Sequence, residues 1–142
     1  MTDAAILSPT FALVSLIFVV WFTLFVQRLA HIRRQPPRAE DFGTGAAAMA
    51  YFEPVEMPAN NLRNLFEMPV LFFALVPLLL VTGHAGIVQI ALAWAYVALR
   101  AVHSAIHICR GPVPRRFLAH LASTVVLMAM WIGLAFRMIA EI

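Results

Sequence analysis

The sequence predicts an all-α fold, an integral membrane four-helix bundle with both termini on the non-cytoplasmic side. Composition is the first observation: of 142 residues, 63% are hydrophobic and only 12% are charged, about half the charge usual in a water-soluble domain. The second is where charge is missing. Asp, Glu, Lys and Arg are absent from Ala4 to Gln27, from Met68 to Leu99 and from Phe117 to Phe136, and roughly 20 apolar residues suffice to cross a bilayer. The third is the stretch Val81-Thr82-Gly83-His84-Ala85-Gly86, whose glycines divide the middle block into an antiparallel pair. Soluble helices of this length would need a polar face.

A single domain over 1–142 then holds four spans, at approximately 8–30, 60–81, 87–108 and 117–139. The first run is too long for a secretory signal core and begins Met1-Thr2-Asp3 without a basic flank, so it reads as a retained span. Pro69 and Pro77 in the second span each remove an amide donor and invite a kink. Trp21, Trp94 and Trp131 fall inside spans and read as packing residues. The long connection from His31 to Ala59 includes Pro36, Pro37, Pro54 and Pro58, and its stretch Gly43 to Ala50 reads as surface-lying or mobile. Cys109 is the only cysteine, which excludes an internal disulfide.

Arginine placement sets the orientation. Arg28, Arg33, Arg34, Arg38 and Arg63 flank the first loop, and Arg110, Arg115 and Arg116 flank the third. The loop between spans two and three carries none, which puts the two basic loops in the cytoplasm by the positive-inside rule. Arg137 near the C-terminus is the dissenter. The formal charge of +3 is therefore an orientation signal and a contact for anionic lipids. Without stacking or phosphate-binding motifs, it does not point to nucleic acid.

Polar groups inside a span cost several kcal/mol, so each one asks for a function. Asn60, Asn64 and Glu67 occupy i, i+4 and i+7 of the second span, and Arg100, His103 and His107 occupy i, i+3 and i+7 of the third. Each trio shares a helix face. Antiparallel travel brings both to one depth near the cytoplasmic surface, where Glu67 is expected to face Arg100. Such a pair serves either as a clamp between helices or as part of a polar pocket that takes an anionic ligand on one side and a lipophilic one from the bilayer. Arg115 and Arg116 open the fourth span at the same level. His103 and His107 also have the spacing of metal ligands, while His84 and His120 read as loop and interface residues.

Asn64-Leu65-Phe66-Glu67-Met68-Pro69, opening the second of four spans, resembles the MAPEG family, the membrane-associated proteins of eicosanoid and glutathione metabolism. Asn64 and Glu67 match that family's Asn-x-x-Glu. Arg100-Ala101-Val102-His103 is similar to the Arg-x-x-His of its prostaglandin synthase branch. Arg116 matches the arginine that begins the fourth span. Two positions depart from the pattern: Asn60 stands where an arginine is usual, with Arg63 close by, and His107 stands where a tyrosine is usual.

The resemblance implies a divergent bacterial-type member in the inner (plasma) membrane, a homotrimer in contact with lipids, with sites between subunits. It implies a glutathione-dependent transferase, peroxidase or isomerase acting on lipophilic electrophiles. In that reading Arg116 activates the thiol of glutathione and His103 orients Glu67 or acts on the substrate. Arg63 and Arg28 hold carboxylates, Asn64 and Glu67 hold amide and amino groups, and Arg100 and His107 complete the pocket. The alternative is a non-catalytic membrane subunit or lipid-binding scaffold, as an accessory to a larger complex, that keeps the fold without the chemistry. A metal or haem site on His103 and His107 is a weaker third reading, and no metal is assigned.

Overall fold

The structure is a computed structural model in which residues 3–141 are described. A 3-10 turn over Asp3–Ile6 leads into α1 (Leu7–Arg34), which stops just before Pro36 and Pro37. The long connection is more ordered than its composition suggests. It carries a 3-10 turn over Ala39–Phe42 and the short helix α2 (Gly45–Phe52). The Thr44 hydroxyl accepts from the Ala47 amide at 3.1 Å and so caps α2. That cap, with the helix-favouring run Ala46 to Met49, gives helical order to a stretch read as surface-lying or mobile.

A further 3-10 turn, Glu53–Val55, precedes α3 (Met57–Leu65), α4 (Pro69–Val81), α5 (Ile87–Ile108) and α6 (Val113–Ala140). Among the described residues four helical stretches are long and apolar enough to cross a membrane: Ala4–Arg34, Met57–Val81, Ile87–Ile108 and Val113–Ala140. The second is not one continuous helix. Phe66, Glu67 and Met68 form a turn between α3 and α4. Pro69 has no N–H to give the Leu65 carbonyl, and its ring crowds the preceding turn, so the helix ends and restarts there. Pro77 also lacks a donor, yet α4 runs through it.

α5 packs most extensively on α6, and α1 lies against α3 and α5. The centre of the buried face of α5 runs through Gln89, Ala93, Tyr96, Arg100, His103 and His107, alternating steps of three and four, with Ile90, Val97 and Ser104 beside it. Its first half joins a core with Leu13 of α1, Phe72, Leu75 and Leu79 of α4, and Leu127 and Met130 of α6. Tyr96 stacks on Phe72 with ring centroids 5.0 Å apart. Its second half is polar. Outward faces carry Phe11, Phe18, Phe22, Val125 and Phe136, as a lipid-facing surface would. Trp21 and Trp94 also face outward, about half exposed, rather than packing within the chain.

The molecule has two chemically different ends. At one, the His84 ring donates from Nε2 to the Glu141 carboxylate at 2.8 Å, and the Asp3–Ile6 turn contacts α4 and α5. At the other, the long connection is fastened down. Arg28 pairs with Glu56 at 3.0 Å and lies over the Phe52 ring, and His31 donates to the Tyr51 carbonyl at 2.9 Å. The Arg110 guanidinium donates to the carbonyl of Pro54.

Both interhelical turns end in the same hydrogen-bonded motif. His84 N–H reaches Leu79 O with Gly83 at φ 71°, and Gly111 N–H reaches Ile106 O with Arg110 at φ 53°. A Cβ on Gly111 would come within 2.7 Å of Ile106 Cγ2 and 3.1 Å of its carbonyl, whereas one on Gly45 meets nothing within 4 Å. Gly111→Ala is therefore expected to destabilise the protein by about 1–3 kcal/mol, read as a lower Tm in detergent. Gly45→Ala should leave Tm unchanged or raise it. Equal Tm values for both variants would refute the tight turn.

Candidate functional site

The polar half of α5 organises the loop end of the bundle. Arg100 is fully buried, an expensive place for a cation, and its partners explain why it is tolerated. The break after Leu65 leaves the Asn64 carbonyl without the amide of a following turn. The Arg100 Nη2 group donates to that carbonyl. A guanidinium at the C-terminus of a helix also meets the negative end of the helix dipole. Its Nη1 lies 3.1 Å from His120 Nδ1 on α6. Because guanidinium only donates, His120 accepts there, and in its neutral ring the proton sits on Nε2. One side chain thus links α3, α5 and α6.

The expectation that Glu67 faces Arg100 as an ion pair is not met. Neither ion pair among the described residues involves Glu67, which lies exposed in the turn between α3 and α4. The reason is again Pro69: a continuous helix would put Asn60, Asn64 and Glu67 on one face, and the break turns Glu67 away from it. Glu67 remains within electrostatic range of Arg100 and His120, so the shared depth holds while the contact does not.

His103 donates from Nδ1 to the Arg116 carbonyl at 3.0 Å, tying α5 to the first turn of α6. That leaves its buried Nε2 without a partner, as is Nδ1 of the buried His107. The His103 ring centre lies 5.7 Å from that of His107 and 5.4 Å from that of His120. Among the described residues no three His, Cys, Asp or Glu side chains are arranged to hold a metal ion. Nδ1 of His103 and of His120 already face protein groups. Ser104 and the fully buried Asn61 sit beside the cluster, the Ser104 hydroxyl donating to Asn61 Oδ1 at 3.3 Å.

The side chains expected in a pocket are thus spread over two faces. Arg100, His103 and His107 point inward, Asn64 and Arg116 are half-buried, and Arg63, Glu67 and Arg115 are exposed on the chain's own surface. Arg28 is engaged by Glu56. Asn61 and Ser104 were not singled out by sequence reasoning, and His120 was read only as an interface residue. Two of them carried a signal: Pro58, Asn61 and Leu65 are spaced three and four apart, and so are Arg116, His120, Ser123 and Leu127. The chain has four apolar spans with polar residues gathered at the loop end around the break at Pro69, and the model of the MAPEG family matches it over residues 6–136. The chain belongs to the MAPEG family. The match runs from before α1 to the last turns of α6 and so takes in all four spans. None of the curated proteins or solved structures compared with the chain matches it.

In this MAPEG-family chain, Arg100→Met is expected to strip the donor from the Asn64 carbonyl and from His120 together. At about 1–3 kcal/mol for each group left unpartnered, Tm in detergent should fall by many degrees. Arg100→Lys should recover only part of the loss, because an ammonium lacks the planar fork. An unchanged Tm in Arg100→Met would show that the buried guanidinium does not hold the three helices.

Proposed function

We propose that this multi-pass MAPEG membrane protein is a glutathione-dependent enzyme that conjugates, reduces or isomerises lipophilic electrophiles at the cytoplasmic face of a bacterial inner membrane. The observation that carries the reading is Glu67. A carboxylate exposed on the surface of an apolar span is costly against lipid, and a neighbouring subunit with a polar ligand between the two would relieve that cost. Family members generally use glutathione and are generally trimeric, which supports both halves of that answer.

The groups at this end suit the tripeptide. Its two carboxylates match the exposed Arg63 and Arg115, since the arginine fork pairs with carboxylate oxygens. Its ammonium matches Glu67, and the half-buried Asn64 side chain can exchange hydrogen bonds with its amides. A free thiol with a pKa of about 8.5 is mostly protonated near neutrality. The Arg116 guanidinium set against the sulfur would favour the thiolate, which then attacks the electrophile while the proton leaves to solvent. His103 holds the Arg116 carbonyl and so acts as a positioning residue. The excess of arginine around the long connection and the turn after α5 supports a cytoplasmic placement of this end, and hence both termini outside.

A second reading is a non-catalytic membrane subunit that keeps the fold. It is favoured by the commitment of Arg100 to Asn64 and His120 and of Arg28 to Glu56, two arginines already engaged within the chain.

Titration of the purified protein with glutathione, read by thiolate absorbance and calorimetry, separates the readings. The enzyme reading expects saturable binding at or below millimolar glutathione with a thiolate signal. Glu67→Gln should weaken binding about tenfold or more, as loss of a charged hydrogen bond does. Arg116→Ala should abolish the thiolate signal with a smaller effect on affinity. Neither binding nor thiolate at millimolar glutathione would sink the enzyme and leave the scaffold.

A further inference from the structure

The opposite end of the bundle holds a second polar recess that the proposed activity does not use. A cavity of about 760 Å³ opens between the 82–86 turn, the first turn of α5 and the last turns of α6. Its floor is Gln89, only 8% exposed. The Gln89 amide donates from Nε2 to the Met130 carbonyl at 3.0 Å, which leaves Oε1 as a buried acceptor without a partner. Buried acceptors are rarely left unmet. Gly133 lines the recess and packs against the same amide, since a Cβ there would come within 3.1 Å of Gln89 Nε2.

The charges around the recess are mixed. Arg137 lines it, and so does the first turn of α5, whose N-cap Gly86 supplies no side-chain acceptor for the leading amides. Both favour an anionic group. Glu141, bonded to His84 through one oxygen and otherwise exposed, adds negative charge on the same rim. With Gln89 Oε1 it favours a hydrogen-bond donor that is itself positive. The remaining rim is apolar and open: Ile87 is 75% exposed, Val88 69% and Phe136 70%.

We propose that this recess is a binding site for a zwitterionic phospholipid headgroup bearing a primary ammonium, as in phosphatidylethanolamine. The phosphate sits at Arg137 and the N-terminus of α5, and the ammonium is held by Gln89 Oε1 and the Glu141 carboxylate. The acyl chains run down over Val88 and Phe136. A headgroup with no N–H, such as phosphocholine, leaves the Gln89 acceptor unmet. A purely anionic headgroup meets the repulsion of Glu141.

The test is native mass spectrometry of the delipidated full-length protein in detergent, offered dioleoyl-phosphatidylethanolamine and dioleoyl-phosphatidylcholine at equal concentration. The expected result is a phosphatidylethanolamine adduct about tenfold above the phosphatidylcholine one, with Gln89→Leu bringing the two to parity and Arg137→Gln lowering both adducts. Arg137 is close to the chain end and its neutral replacement needs no repacking, so that arm stands even if Gln89→Leu fails to fold. Equal adducts in the unsubstituted protein, or an undiminished adduct in Arg137→Gln, would overturn the site. Displacement of the lipid by an equimolar amount of free phosphoethanolamine would overturn a lipid as its occupant.

Discussion

The interior of the loop end depends on one buried cation. Arg100 has no solvent exposure and, among the described residues, no carboxylate partner; it is held by the backbone carbonyl of Asn64 and by His120. In low dielectric a lone guanidinium would be prohibitive, and its cost is offset because α3 ends in front of it. The orphan carbonyl and the negative end of that short helix form a ready counter-pole. The break at Pro69 and the burial of Arg100 therefore explain each other. Without the break the carbonyl would be spent within the helix, and without the arginine the broken end would lie unsatisfied in an apolar layer.

From that interaction the rest of the loop end follows. His120 is oriented by accepting from Arg100, and the neighbouring imidazole of His103 is oriented by donating to the Arg116 carbonyl. The first turn of α6 is thereby set against α5, and the Arg116 side chain is presented from a fixed backbone. Glu67 is turned to the outside by the same break, and Arg63 lies on the exposed face of α3. The chain accordingly keeps the Arg100 charge within and leaves Arg63 and Glu67 on its surface. At the far end a milder version of the same economy operates, with His84 and Glu141 joining the 82–86 turn to the end of α6.

Much of this was legible beforehand. The charge-free blocks predicted four spans, and the third, 87–108, coincides with the observed Ile87–Ile108. The inward trio Arg100, His103 and His107 was read from helical spacing and does lie on the buried face of α5. What misled was the assumption of an unbroken second helix. Periodicity counted across the break after Leu65 aligned Glu67 with Asn64, and the real chain resets its phase between them. α2 was missed because a run of small residues gives little periodic signal, while its Thr44 cap depends on local dihedrals. His120 was read as an interfacial residue because a lone histidine near a helix start looks the same in sequence whether or not an arginine on another helix reaches it.

The amino-acid sequence by itself determined the number of crossings, the two turns between them and the family, because run length, turn residues and motif spacing are local quantities. Only the tertiary structure decided which acceptor Arg100 found, which way Glu67 faced and where the second recess opened. Those depend on the relative rotation of helices about a proline break, and a few degrees there exchange one hydrogen-bond partner for another. Spacing along one chain segment carries no record of that rotation.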